Sequence, residues 1–256
     1  MVKWDEVIEM NYPKIARGAT AVVYDMGDGK ALKLFNEGYW RDAALREFHY
    51  ARIVGEKGLP SPRVYEFVEP EGRVGIVYEK LEGPNMLDEL LSGGDIPKLI
   101  ADFGALQKKF HAARAPELRS LKLSWRESAA RGGMERFIPL IDALPDGDQI
   151  CHGDFHPANV ILTPGGPVAI DFMNVCCGDA ILDVARTIYL IEKTPSDDAP
   201  MELRRAISDM YLAHMGVARA QIEPIMVALM AARVSEAKVD VEREMLLNEL
   251  SKVRFV

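Results

Sequence analysis

The chain has 256 residues, 48% of them hydrophobic and 27% charged, with a formal net charge of -8. That is an ordinary globular balance, and it sets aside the disordered and fibrous classes. An acidic chain of this kind carries no basic nucleic-acid footprint, and no apolar run in it reaches the length that crosses a bilayer.

The size allows one large domain or two small lobes sharing a cleft. The first residues, Met1-Val2-Lys3-Trp4-Asp5-Glu6, lack the apolar core of a signal peptide. Ala21 to Met26 and Lys30 to Phe35 read as strands joined by Gly27-Asp28-Gly29, a hairpin signal. Arg41 to Val54 has helical periodicity and stops at Gly55 and Gly58. Arg63 to Val68 and Arg73 to Glu79 read as a second hairpin, turning at Pro70-Glu71-Gly72. Leu81-Glu82-Gly83-Pro84 breaks this pattern.

Beyond it the chain reads mostly as helix: Ile96 to Ala113, Trp125 to Leu144, Asp179 to Glu192, then two or three more. The apolar run Ile225 to Ala232 suits a buried helix. A strand-rich stretch, Ile150 to Phe172, interrupts the helices. In it Val160 to Leu162 and Val168 to Ile170 flank the turn Thr163-Pro164-Gly165-Gly166-Pro167. Cys151, Cys176 and Cys177 form an odd set with neither disulfide nor zinc-site spacing. Reduced thiols in a cytoplasmic protein are therefore expected.

The chemistry concentrates in Cys151-His152-Gly153-Asp154-Phe155-His156-Pro157-Ala158-Asn159, followed by Asp171 at the end of the next strand. Phosphoryl transfer needs such a set. One carboxylate accepts the proton of the attacking hydroxyl, while an amide oxygen and a second carboxylate hold Mg²⁺ against the phosphates. Oxygen donors suit Mg²⁺, which keeps several waters and needs few protein ligands. On this reading Asp154 is the base, and a hairpin brings Asn159 and Asp171 together at adjacent strand ends.

The pattern His152-Gly153-Asp154-x-His156-x-x-Asn159, with Ile170-Asp171-Phe172 after it, resembles the signature of the aminoglycoside phosphotransferase and choline kinase family. These are small-molecule kinases with a protein-kinase-like fold. Gly178-Asp179 and Asp183-Val184-Ala185 are similar to the family's helix after the metal-binding Asp. The resemblance implies an α+β, two-lobed protein-kinase-like fold. A small antiparallel sheet lobe with one helix would span residues 1–80, and a larger helical lobe residues 81–256. It also implies supporting roles for His152, His156 and Asp183, with His156 hydrogen-bonding within its loop. His49, His111 and His214 show no partner pattern and read as packed or surface residues.

The N-terminal lobe then offers a second set. Arg17-Gly18-Ala19-Thr20-Ala21 resembles the family's short phosphate loop, where Gly18, Ala19 and Thr20 let backbone approach the phosphates. Strand alternation puts Lys33 on one face with Ala31 and Phe35. Taken alone Lys33 is an edge-strand lysine; beside the downstream signature it is a phosphate ligand. Glu47 is its expected ion-pair partner and Glu37 the competitor. The stretch Ile76 to Leu81 is similar to an interlobe hinge, so Glu79 and Leu81 are expected beside the base. ATP is the default nucleotide, with GTP left open.

The acceptor is a small-molecule hydroxyl, aminoglycoside-, choline- or sugar-like. Residues 1–82 hold 14 acidic and 12 basic side chains, which leaves -6 of the -8 for the rest of the chain. That balance is compatible with a cationic acceptor. Asp240, Glu242, Glu244 and Glu249 could line such a site, but Lys238 and Arg243 are interspersed, so a solvated helix face is the expectation. Two rivals stand beside the small-molecule kinase. Met173 replaces the glycine of the protein-kinase Asp-Phe-Gly motif and no Ala-Pro-Glu segment follows, against a conventional protein kinase though not an atypical one. An intact Lys33, Asp154, Asn159 and Asp171 set argues against a nucleotide-binding scaffold without turnover.

Overall fold

The computed structural model describes residues 12–194, 199–237 and 239–254. The N-terminal Met1 to Glu6 and Lys238 lie outside them. The chain divides into two compact units. Of the described residues, one takes in those through Asn85 together with Asn159–Asn174, and the other Met86–Ala158 with those from Val175 on.

The first unit is built on a five-stranded antiparallel sheet: β1 (Lys14–Arg17), β2 (Ala21–Gly27), β3 (Lys30–Phe35), β4 (Val64–Val68) and β5 (Gly75–Glu79), in the order β1-β2-β3-β5-β4. β1 was not foreseen, because its four residues are all exposed and carry no alternation. Gly27 pairs with Lys30, so Asp28 and Gly29 alone make the turn between β2 and β3. Both have positive φ, 50° and 70°, which the tight primed turns of hairpins require. β3 lies between β2 and β5. Lys33 is thus central to the sheet, not on its edge.

Alternation then sorts the side chains. Val22, Tyr24, Leu32, Leu34 and Val77 form one apolar cluster, and Ala21, Phe35, Val74 and Ile76 join Ala44 in another. Ala44 belongs to α1 (Arg41–Glu56), whose buried positions are Ala44, Glu47, Ala51 and Val54. This is the stripe of an amphipathic helix, with a carboxylate at one of its core positions.

A second hairpin, β7 (Val160–Thr163) and β8 (Gly166–Ala169), completes this unit. It is braced at two places. Leu162 N–H donates to the Pro84 carbonyl at 2.9 Å, and Ala169 N–H donates to Pro60 at 3.0 Å. Gly83 makes the close approach possible: φ is 147°, and a Cβ there would lie 2.0 Å from the Leu162 carbonyl oxygen. β8 ends one residue earlier than the alternation suggested, because Asp171 turns to a positive φ of 67°.

The second unit is helical: α2 (Met86–Leu91), α3 (Ile96–Ala112), α4 (Leu121–Arg131), α5 (Ile138–Asp142), α6 (Ala180–Glu192), α7 (Met201–Met215), α8 (Arg219–Arg233) and α9 (Asp240–Ser251). Asp179 caps α6 by accepting from Ile181 N–H at 2.9 Å. The expected helix Trp125 to Leu144 is instead two. α4 starts behind the Ser120 cap and stops at Gly132-Gly133, where Gly133 has φ 72°. α5 then begins afresh with Pro139 in its first turn. α8 buries Ile225, Ala228, Leu229, Ala231 and Ala232, as the apolar run implies. Among the described residues no single helix is long and apolar enough to cross a membrane. β6 (Gln149–Cys151) pairs antiparallel with β9 (Cys176–Gly178) inside this helical unit. All three cysteines are free and buried.

Candidate active site

In the first unit the α1 stripe and β3 alternation converge. Lys33 Nζ lies 2.6 Å from Glu47 Oε1 and 3.2 Å from Asp171 Oδ1. Glu47, not the exposed Glu37, is the partner. The side chains are 14%, 1% and 39% exposed for Lys33, Glu47 and Asp171. Tyr78 O–H donates to the same Glu47 oxygen at 3.2 Å. Glu47 Oε2 is buried with no hydrogen-bond partner among the described residues, so this carboxylate depends on Lys33. Burial alone would lower the lysine, but the Glu47 and Asp171 carboxylates outweigh it and hold Lys33 above its ordinary value.

Asn159 is buried at the start of β7, and its carbonyl accepts from Ile170 N–H at 3.0 Å. Asn159 and Asp171 therefore flank one ladder end. Their donors are an amide oxygen and a carboxylate, hard oxygen ligands fit for Mg²⁺. No group of three or more His, Cys, Asp or Glu placed to hold a metal ion occurs among the described residues, so a cation held by Asn159 and Asp171 would need further donors from solvent or phosphate.

Gly18, Ala19 and Thr20 form the β1–β2 connection. Gly18 N–H donates to Ala21 O at 2.9 Å, and Asn36 Nδ2 donates to Ala19 O at 3.0 Å. Nothing closer than 3.8 Å would meet a Cβ on Gly18. The loop is thus open. Of the expected hinge residues, Glu79 ends β5, donates its N–H to Arg63 O at 2.7 Å and accepts from Arg63 N–H through its side chain. Leu81 follows at half burial.

In the second unit β6 leads into His152, Gly153 and Asp154. Asp183, on α6, takes the backbone N–H groups of His152 at 3.1 Å and Gly153 at 2.9 Å. It also accepts from Gln107 Nε2 at 2.8 Å and faces His111 Nε2 at 2.9 Å. Burial would raise this carboxyl, yet His111, Gln107 and Gly153 together pull it down to about 2. Gln107 further contacts Thr187 and Tyr211. His152 itself is buried against Phe110 and Phe155. Asp154 is half-buried, with His156 Nε2 3.9 Å from its Oδ2.

Sequence reasoning missed Gln107 and His111. Their signal is a polar pair at i and i+4 on the buried face of α3. The cationic-site candidates divide: Asp240, Glu244 and Glu249 are exposed, whereas Glu242 is buried, accepting from Tyr189 O–H at 2.9 Å and Arg233 at 2.6 Å. For Glu242 a solvated face is wrong, because α9 turns that position inward.

A family model described as the phosphotransferase enzyme family matches residues 12–224. Among solved structures, a thermostable mutant of aminoglycoside phosphotransferase APH(4)-Ia in apo form aligns at 14% identity and TM-score 0.67. The alignment covers 94% of this chain and 92% of that one. The streptomycin–ATP–APH(2")-IIa ternary complex aligns at 13% and 0.64, covering 98% and 95%. A choline/ethanolamine kinase family protein from Mesorhizobium loti aligns at 15% and 0.64, covering 94% and 86%. Likeness at these identities speaks for the fold, the protein-kinase-like architecture that the sequence led us to expect. Comparison with curated protein sequences gives no match. With more than half its length matched by the family model, this chain belongs to the phosphotransferase enzyme family.

Proposed function

We propose that the protein transfers the terminal phosphoryl group of ATP to a hydroxyl of a small molecule. The observation that carries this reading is the buried Lys33–Glu47 pair reaching Asp171 at 3.2 Å. A lysine fixed by a helical Glu beside a metal-binding Asp is the arrangement that phosphoryl transfer uses to hold a triphosphate.

In this account Lys33 contacts the inner phosphates beneath Gly18, Ala19 and Thr20, and Glu47 orients it. Glu79 and Leu81 flank the base. Asn159 and Asp171 are the protein ligands of Mg²⁺, which supplies charge neutralisation at the phosphates when bound. Asp154 orients the acceptor hydroxyl and takes its proton. Asp183 fixes the two peptide N–H groups before Asp154, and so sets the loop that presents it. His152 and His156 support that loop. Solved relatives in fold include complexes named for streptomycin with ATP and for ADP with streptomycin, which supports a nucleotide and a small-molecule acceptor here.

The direct test is ADP release with purified protein, MgATP and a panel of hydroxyl compounds, beside slow hydrolysis of ATP by water. Acceptor-dependent release abolished in Asp154→Asn supports the enzyme. Tight MgATP binding with no release from any acceptor or water would reduce the protein to a nucleotide-binding scaffold.

A further inference from the structure

The second unit contains a cavity of about 240 Å³ that none of the residues discussed above explains. Three helices build most of its wall: Leu87 and Leu90 from α2, Leu190 and Ile191 from α6, Leu203 and Ile207 from α7. These positions fall on one cavity because each helix turns its apolar stripe to the same side. The loop His156-Pro157-Ala158 adds to the wall, as do Leu91, Thr194 and Ala199. His156 Nε2 is 3.9 Å from Asp154 Oδ2, so one residue of the wall neighbours the carboxylate assigned as base. Arg204 also lines it, but as a brace: Nε donates to Ala199 O at 3.1 Å and Nη1 to Thr194 O at 2.8 Å. Its stem, not its charge, supplies surface of the kind long cations lend to apolar pockets.

We infer that the acceptor is an alcohol with a compact apolar body, which fills this cavity while its hydroxyl faces Asp154. The inference rests on the proposed role of Asp154 and names the substrate class for that site. A sugar or aminoglycoside carries polar groups on every face. Placing one against six aliphatic side chains strips water from hydroxyls and amines without returning hydrogen bonds, a heavy desolvation cost. An apolar ring or branched chain incurs no such cost and gains from leaving water. The volume sits just below the usual range of ligand pockets, roughly 300–1,000 Å³. That suits one ring or a short branched chain better than an extended oligosaccharide.

The probes are neutral alcohols of increasing apolar size (ethanol, cyclohexylmethanol, menthol) against glycerol, ribose, choline and kanamycin. Two readouts are taken on the full chain: ADP release with MgATP, and binding by ligand-observed NMR without turnover. Leu190→Trp and Leu203→Trp narrow the cavity from two different helices and touch none of the proposed catalytic groups. The expected result is kcat/KM rising roughly tenfold or more from ethanol to menthol. Both Trp variants should lose menthol binding and raise its KM, with ATP hydrolysis by water within about twofold of wild type. Equal or better turnover of kanamycin, choline or ribose, insensitive to both variants, overturns the inference and leaves the kinase reading standing. Menthol binding lost in the Trp variants while no compound, water included, releases ADP keeps the cavity assignment and fails the kinase reading. No menthol binding to wild type overturns the inference whatever the turnover.

Discussion

Lys33 Nζ and Asp171 Oδ1 stand 3.2 Å apart although 138 positions separate them in the chain. The sheet brings one and the β7–β8 hairpin the other, and Glu47 at 2.6 Å completes the group. Because Glu47 is nearly inaccessible and one of its oxygens is unsatisfied among the described residues, removing the lysine strands a buried charge.

Lys33→Met should therefore destabilise the protein by about 3–5 kcal/mol in chemical denaturation. The double variant Lys33→Met/Glu47→Leu, which removes both charges, should recover most of that loss and remain inactive. If the double variant is as unstable as the sum of its parts, the pair is not coupled as the geometry requires.

Asp154→Ala should slow acceptor phosphorylation roughly 10²–10⁴-fold and leave nucleotide affinity little changed. Asp171→Ala should instead weaken MgATP binding, seen by calorimetry with and without Mg²⁺. Asp171 has φ 67°, a region Asn tolerates and Ala does not, so Ala adds a strain of about 1 kcal/mol. Asp171→Asn is the cleaner probe, and its thermal midpoint should stay closer to wild type than that of Asp171→Ala.

Asp183 gives the pH dependence its sign. Its folded value, about 2, lies below the ordinary 3.8. The ionised form is therefore favoured by folding. The stability it contributes is fully present above about pH 4 and disappears as the pH falls toward 2, to the extent of about 2 kcal/mol. Denaturation curves for Asp183→Asn should show a shallower loss across that window. They should also show lower stability at neutral pH, because the amide meets His152 and Gly153 N–H with one oxygen instead of two.

Two glycines should respond in opposite ways. Gly83→Ala forces a Cβ to within 2.0 Å of the Leu162 carbonyl, breaks the brace on the β7–β8 hairpin and should cost about 2–4 kcal/mol. Gly18→Ala meets nothing nearer than 3.8 Å, so its stability should move by less than about 0.5 kcal/mol. Any loss of ATP affinity in Gly18→Ala then measures how closely the phosphates approach that backbone.

The candidate site was legible in the sequence where the proposed chemistry restricts residue type. The run His152 to Asn159, with Asp171 beyond it, needs particular oxygen donors at particular spacing. Glu47 was expected from the kinase arrangement of a strand Lys oriented by a helical Glu, and it stands at a buried position of α1 whereas its competitor Glu37 is exposed. Asp183 came from the resemblance, but its partners did not: the i, i+4 spacing of Gln107 and His111 marks a buried polar pair, yet they lie 76 and 72 residues from Asp183, and that spacing does not name the partner. β1 and the break at Gly132-Gly133 were missed for a different reason. A four-residue exposed strand has no alternation, and helical periodicity across Trp125 to Leu144 outweighed two adjacent glycines. The acceptor cavity was invisible because it draws on three helices and a loop.

Only Phe172, Met173, Asn174 and Val175 run between Asp171 and β9, and the Tyr39 hydroxyl fastens the Met173 sulfur at 3.2 Å. Protein kinases are governed at this point by a long segment that phosphorylation rearranges. Four residues, one already tethered, offer no comparable device for an upstream signal to throw. Under the proposed chemistry, Asp171 is held in place by a short link rather than positioned by a segment of that kind.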